Sequence, residues 1–171
     1  KIWNSYSINT KANIGPNNGK KYSIDDKIFI KYSNLQKIKQ MQLNYIELSD
    51  NTIRVIKGTN FDYFSSEAQK KFFNQKFLVT KNTDRMGIRL SGYKLENIVN
   101  TNIKSEGLVR GVIQVPADGD PIIMLSDHGT IGGYPKIGVV ISADLDRVGQ
   151  LTPGSTIHFK EVSLEEAQNI F

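Results

Sequence analysis

The sequence contains no cysteine and only two histidines, His128 and His158. Disulfides, thiolate nucleophiles, CxxC redox pairs and Cys/His zinc sites are thereby excluded by count, and no metal site is expected. The absence fits a reducing cytoplasm. Long apolar runs are also missing: Pro121 to Leu125 and Ile137 to Ala143 fall far short of the roughly 18–20 residues that a membrane-crossing helix needs. The chain opens Lys1-Ile2-Trp3-Asn4, with neither an initiator Met nor the apolar core of a signal peptide, so further sequence upstream is expected. With 39% hydrophobic and 23% charged residues over 171, disorder and collagen are excluded, and one compact domain or two small ones are accommodated.

Charge and glycine are unevenly placed. Residues 1–83 carry 14 Lys+Arg against 6 Asp+Glu, residues 84–171 carry 8 against 11, and 11 of the 14 glycines follow residue 84. A basic half can attract nucleic acid through its summed field. Here the lysines are scattered among asparagines without a recognition helix or RNP motif, so a nucleic-acid partner is not expected.

Turn residues and alternation divide the chain. Gly15-Pro16-Asn17-Asn18-Gly19 and Ser23-Ile24-Asp25-Asp26 read as turns and Lys27 to Tyr32 as a short strand. Gln42 to Glu47 and Thr52 to Lys57 read as strands joined through Ser49-Asp50-Asn51. Phe64 to Phe73 has helical spacing at Ala68, Phe72 and Phe73, with Ser66 as its cap and Gln69 three residues on. Strands are expected at Phe77–Thr80, Ile88–Leu90, Leu108–Val115, Pro121–Ser126, Ile137–Ser142 and Ser155–Val162. Ser163-Leu164-Glu165-Glu166 has capping-box spacing for a final helix. Strands without regular intervening helices predict a mainly β chain, an antiparallel or mixed barrel with one or two short helices. A boundary is expected near residues 50–58.

Several segments carry chemistry. Gly15 to Lys21 misses the Walker spacing by one residue and has Lys21 where a hydroxyl belongs, so it reads as a glycine turn. Ser126-Asp127-His128 holds the residue types of a hydrolytic triad, but sequence neighbours on an extended chain face opposite ways. His128 before Gly129 is either a turn residue or a site residue, and His158 reads as an outward strand residue. In Asp127 to Gly138, the pair Gly132-Gly133 allows close main-chain approach, Tyr134 can stack or donate, and Lys136 is cationic. This loop suits either an anion or developing oxyanion, or a tight barrel connection. Asp84-Arg85 suits either a fixed ion pair or carboxylate binding, and Gln114 places an amide before an acidic turn.

At these residues the sequence resembles the KipA-type, or allophanate hydrolase subunit 2-like, family of biotin-dependent carboxyltransferases, which includes the C subunit of 5-oxoprolinase. The resemblance rests on Asp84-Arg85-Met86-Gly87-Ile88-Arg89-Leu90, Ser105-Glu106-Gly107, Gly111-Val112-Ile113-Gln114-Val115-Pro116, Asp118-Gly119, Pro121-Ile122 and Gly132-Gly133-Tyr134-Pro135-Lys136-Ile137. Thr152-Pro153-Gly154-Ser155 also fits. It implies a cyclophilin-like β-barrel over 51–171, with 1–50 closing a preceding β-rich subdomain of a chain roughly twice as long.

The resemblance also implies a KipI, or allophanate hydrolase subunit 1-like, partner, a further 5-oxoprolinase subunit and a small amide substrate. The reaction implied is ATP-dependent opening of 5-oxoproline to glutamate. The alternatives are carboxyl transfer from carboxybiotin to urea or a similar amide, and a non-catalytic KipI-binding regulator. No Ala-Met-Lys-Met context is present, so no cofactor is expected on this chain, with ATP or carboxybiotin used by the complex. Carried over by position, Arg85 would clamp an anion with Asp84 orienting it, and Gln114 would recognise a lactam or urea. Gly132 and Gly133 would stabilise an oxyanion, and Tyr134 and Lys136 would shape and charge the pocket beside Asp127 and His128. After Asp127 the chain departs from the common family pattern, reading His128-Gly129-Thr130-Ile131 where relatives carry a Gln-Thr-Thr run.

Overall fold

The structure, a computed structural model, describes residue 4 and residues 7–10, 12–29 and 51–170. Its contacts divide the chain into two compact units, Lys1–Tyr45 and Ile46–Phe171. In the first unit the glycine segment closes on itself. Pro16–Gly19 form a 3-10 turn in which Asn17 and Asn18 adopt left-handed conformations, φ 54° and 52°, that Asn tolerates better than most residues. Asn17 Nδ2 donates to the carbonyls of Lys20 and Lys21. The Ser23–Asp26 turn is held by the Ser23 N–H donating to the Asp26 carboxylate at 2.7 Å. Of the expected strand at Lys27–Tyr32, residues 27–29 are described and join no ladder. The rest of it, and Gln42–Glu47, lie outside the described residues.

The second unit is a closed, mixed seven-stranded barrel. Its strands are β1 (Thr52–Lys57), β2 (Lys76–Val79), β3 (Gly87–Ser91), β5 (Val112–Gln114), β6 (Ile122–Met124), β8 (Lys136–Val140) and β9 (Thr156–Glu161), ordered β1-β8-β5-β6-β3-β2-β9. Every pairing is antiparallel except β1 with β9, which is parallel and closes the cylinder. Both edges of β1 are therefore occupied, by β8 and β9. The two short strands β4 (Glu106–Gly107) and β7 (Ile131–Gly132) form a separate ladder.

Strand alternation makes the core. Ile53, Val55, Phe77, Val79, Ile88, Leu90, Ile113, Ile123, Ile137, Ile157 and Phe159 are all buried, as a two-residue period facing one interior requires. Helix α1 (Ser66–Asn74) adds Phe72 to that core, stacked on Phe159 with centroids 4.6 Å apart. Its cap is Ser65, one residue before the expected Ser66. Ser65 has extended backbone angles, so its Oγ can accept from the Ala68 N–H at 3.1 Å, whereas Ser66 is already helical. Gln69 instead donates to the carbonyls of Phe61 and Phe64.

The expected strand Leu108–Val115 shrinks to β5 because Gly111 takes φ +90° and ends a turn from Val109. The final helix, α3 (Leu164–Ile170), has the expected capping box: Glu166 N–H donates to Ser163 Oγ, and Ser163 N–H donates back to the Glu166 carboxylate. A third helix, α2 (Leu145–Val148), raises the count above the expected one or two. It follows a 3-10 turn at Ser142–Asp144, and Asp144 is fully buried there. Arg54 holds it through three hydrogen bonds, from the backbone N–H at 2.7 Å, Nε at 3.0 Å and Nη2 at 2.6 Å. Among the described residues no helix is long and apolar enough to cross a membrane.

Candidate functional site

Three neighbouring strands, β3, β6 and β5, set one wall of a small cavity. Ile122 lies in register with Arg89 on one side and with Gln114 on the other. Directly paired residues share a face, so these three side chains form a row. The cavity holds about 210 Å³, below the roughly 300–1,000 Å³ typical of drug-sized ligands. Met86, Ile122 and Met124 give it apolar surface, and Asp84, Arg89, Gln114, His128 and Tyr134 bring polar groups.

Local sequence explains how the rim is held. Asp84 Oδ1 accepts from the N–H groups of Met86 and Gly87, forming a tight turn into β3. The segment after β6 is laced to that turn, with Leu125 N–H donating to the Met86 carbonyl and Asp127 N–H to the Arg85 carbonyl. His128 Nδ1 donates to the Gly129 carbonyl at 2.5 Å, which leaves Nε2 as the acceptor of the neutral ring.

Gln114 is buried, and its Nε2 donates to the Tyr134 carbonyl at 3.1 Å. That approach depends on Gly132: a Cβ there would lie 2.7 Å from Gln114 Nε2. Gly132 is laddered to Glu106, and the Gly133 carbonyl accepts from the Ile103 N–H at 2.9 Å. The paired glycines thus seat the Tyr134 loop against the Gln114 amide.

Of the residues expected in the pocket, Arg85, Asp127, Gly132, Gly133 and Lys136 do not line it. Lys136 is buried in β8, and its Nζ forms an ion pair with Glu106 of β4 at 2.5 Å. Its main chain is clamped by Asn60, whose Oδ1 accepts from the Lys136 N–H while the Asn60 N–H donates to the Lys136 carbonyl. Burial of an ammonium demands such a partner, so this charge ties the small β4–β7 ladder to the barrel. Arg85 is 77% exposed at its side chain and pairs with Asp127, Nε to Oδ2 at 2.9 Å. The carboxylate that orients Arg85 is therefore Asp127, while the hydrogen bonds of Asp84 Oδ1 go to its own turn.

Asp84, Gln114, Tyr134 and His128 are brought together as expected. Arg89 joins them and was not singled out by the sequence, because an arginine alternating with buried Ile88 and Leu90 reads as an ordinary outward strand residue. His158 is the outward residue expected, half-buried with Nε2 2.8 Å from Thr52 Oγ1. Among the described residues no group of three His, Cys, Asp or Glu is placed to hold a metal.

A family model described as carboxyltransferase domain, subdomain A and B, matches residues 1–161. The chain is 33% identical over 97% of its length to the C subunit of 5-oxoprolinase from Escherichia coli, and 34% identical over 98% to that from Haemophilus influenzae. In both cases it spans 53% of the relative, about half. Among solved structures it is similar to the K. lactis urea amidolyase, with a TM-score of 0.66 and 32% identity over 70% of this chain and 8% of that one. A family match over residues 1–161, on a chain that folds as this barrel, places it in the carboxyltransferase domain family, subdomains A and B.

Proposed function

We propose that this chain supplies the amide-binding pocket of an ATP-dependent 5-oxoprolinase complex, which opens 5-oxoproline to glutamate. The observation that carries the reading is the extent of the similarity. At 33–34% identity it runs through 97–98% of the chain to two proteins named as the C subunit of 5-oxoprolinase, taking in the pocket-forming loops as well as the barrel.

The pocket chemistry supports it. Gln114 commits one N–H to the Tyr134 carbonyl, and a primary amide retains a second N–H and a carbonyl oxygen. These are the complements of a lactam carbonyl and a lactam N–H. Met86, Ile122 and Met124 suit the ring methylenes, and Tyr134, 40% exposed at the rim, covers the bound ring. Asp127 holds Arg85 at the mouth, and Lys136 acts as a positioning residue through Glu106. ATP and the partner groups, a KipI-type subunit and a further subunit, belong to the rest of the complex.

The test is reconstitution of the full-length subunit with its partners and an assay of ATP-dependent glutamate release from 5-oxoproline. Gln114→Ala is expected to reduce release by about 100-fold, consistent with leaving buried polar groups unpaired. Glutamate formed at the wild-type rate by that variant would overturn the role of the pocket.

The similarity to urea amidolyase favours a second reading, transfer of carboxyl from carboxybiotin to urea or a similar amide in the same pocket. Avidin separates the two: it leaves lactam opening untouched and stops biotin-dependent transfer.

A further inference from the structure

We infer that Arg89 is the anion ligand of this pocket and selects amides that carry a carboxylate. The inference deepens the small-amide reading above and rests on it. The chain has five arginines. Four are in ion pairs: Arg54 and Arg147 with Asp144, Arg85 with Asp127, and Arg110 with Asp146. The Arg89 guanidinium has no hydrogen bond or ion pair among the described residues, yet it is the one arginine that lines the cavity.

An exposed strand arginine ordinarily needs no partner beyond water. Arg89 differs by position. It stands two strands from Gln114 with Ile122 between them in register, a separation of about 10 Å between main chains at the usual strand spacing. Both side chains line the cavity, and from the two ends of that row they bracket a ligand about the size of a five-membered lactam. One end offers an amide, and the other a planar guanidinium whose fork matches a carboxylate.

The other charged groups at the site have partners of their own. Asp84 Oδ1 is held by the N–H groups of Met86 and Gly87. Arg85 and Lys136, the cations expected to fill the role, are paired with Asp127 and Glu106. The pocket is therefore lined by one cation without a protein partner among the described residues, Arg89, together with the Gln114 amide and the Asp84 carboxylate, whose Oδ1 is engaged in its own turn. That pattern suits a carboxylated lactam such as 5-oxoproline better than uncharged urea.

The experiment uses the full-length subunit, alone for binding and in its complex for turnover, with 5-oxoproline and 2-pyrrolidinone, the same ring without the carboxylate. By ligand-observed NMR and calorimetry, Arg89→Gln is expected to weaken 5-oxoproline about 10- to 100-fold, the range of a charge-assisted hydrogen bond. The weak binding of 2-pyrrolidinone should stay unchanged, and Arg89→Lys should recover part of the loss. In the complex the effect should fall on KM, with kcat at saturation within about threefold of wild type.

Equal affinity of wild type and Arg89→Gln for 5-oxoproline would overturn the assignment. Wild-type protein that binds the two rings equally, or binds neither, would do the same. A complex that binds 5-oxoproline through Arg89 but releases no glutamate would remove the lactam-opening reaction while upholding the carboxylate site.

Discussion

Arg54 and Arg85 each meet an aspartate on this barrel, but Asp144 is sealed from water while Asp127 is 45% exposed at its side chain. Burial of Asp144 pushes its carboxyl up. Hydrogen bonds from the Arg54 side chain and backbone, with the charges of Arg54 and Arg147, outweigh that and hold it below its ordinary value of 3.8. The pair at Asp127 has water and salt as alternatives, so its Coulomb energy is largely screened. The same two residue types therefore brace the wall between β1 and α2 in one place and trim a pocket rim in the other. Contact distance does not separate the two roles; access of water does.

Breaking the buried pair is the largest test of that contrast. Asp144→Ala removes the buried acceptor of three Arg54 hydrogen bonds and is expected to cost about 3–5 kcal/mol, read by denaturant unfolding of the full-length protein. Acid sharpens the comparison at smaller scale. Because the folded carboxyl of Asp144 titrates below 3.8, its stabilisation is complete above that pH and is lost as pH falls through the lower folded value. Asp144→Asn should flatten that part of the acid limb, and an unchanged limb would show that other carboxylates govern it. The smallest effect belongs to the rim: Arg85→Ala is expected to change stability by less than about 1 kcal/mol, with a difference that shrinks further at high salt. A larger loss would place Arg85 in the framework with Arg54.

Much of the barrel was legible because its strands alternate, and Ile157, Phe159, Ile88 and Leu90 point where a two-residue period sends them. The capping box at Ser163 was readable because both partners lie within four residues. Helix α2 was not, since Ser142 to Val148 is too short to show a period, and its value comes from Asp144 meeting a partner 90 residues away. The site divides the same way. Gln114 stood out as an amide just before an acidic turn and Tyr134 as an aromatic after paired glycines, and they do share a cavity. Arg89 stayed hidden because its alternation is ordinary, and only the register with Ile122 and Gln114 gives it company. The pairing of Lys136 with Glu106 links two segments whose sequences carry no mark of each other.

The parallel seam between β1 and β9 has a consequence for how the chain is made. β9 pairs β1 on one side and β2 on the other, so it is the stave that turns an open sheet into a cylinder. It also comes last of the seven in sequence. While a nascent chain still lacks residues 156–161, β1 and β2 each present a raw edge, and a sheet with two raw edges recruits other chains as readily as its own final strand. Closure between strands about a hundred residues apart is slow as well. The cell's exposure to that open form is set by how quickly one six-residue strand arrives and docks, a vulnerability that the finished barrel no longer shows.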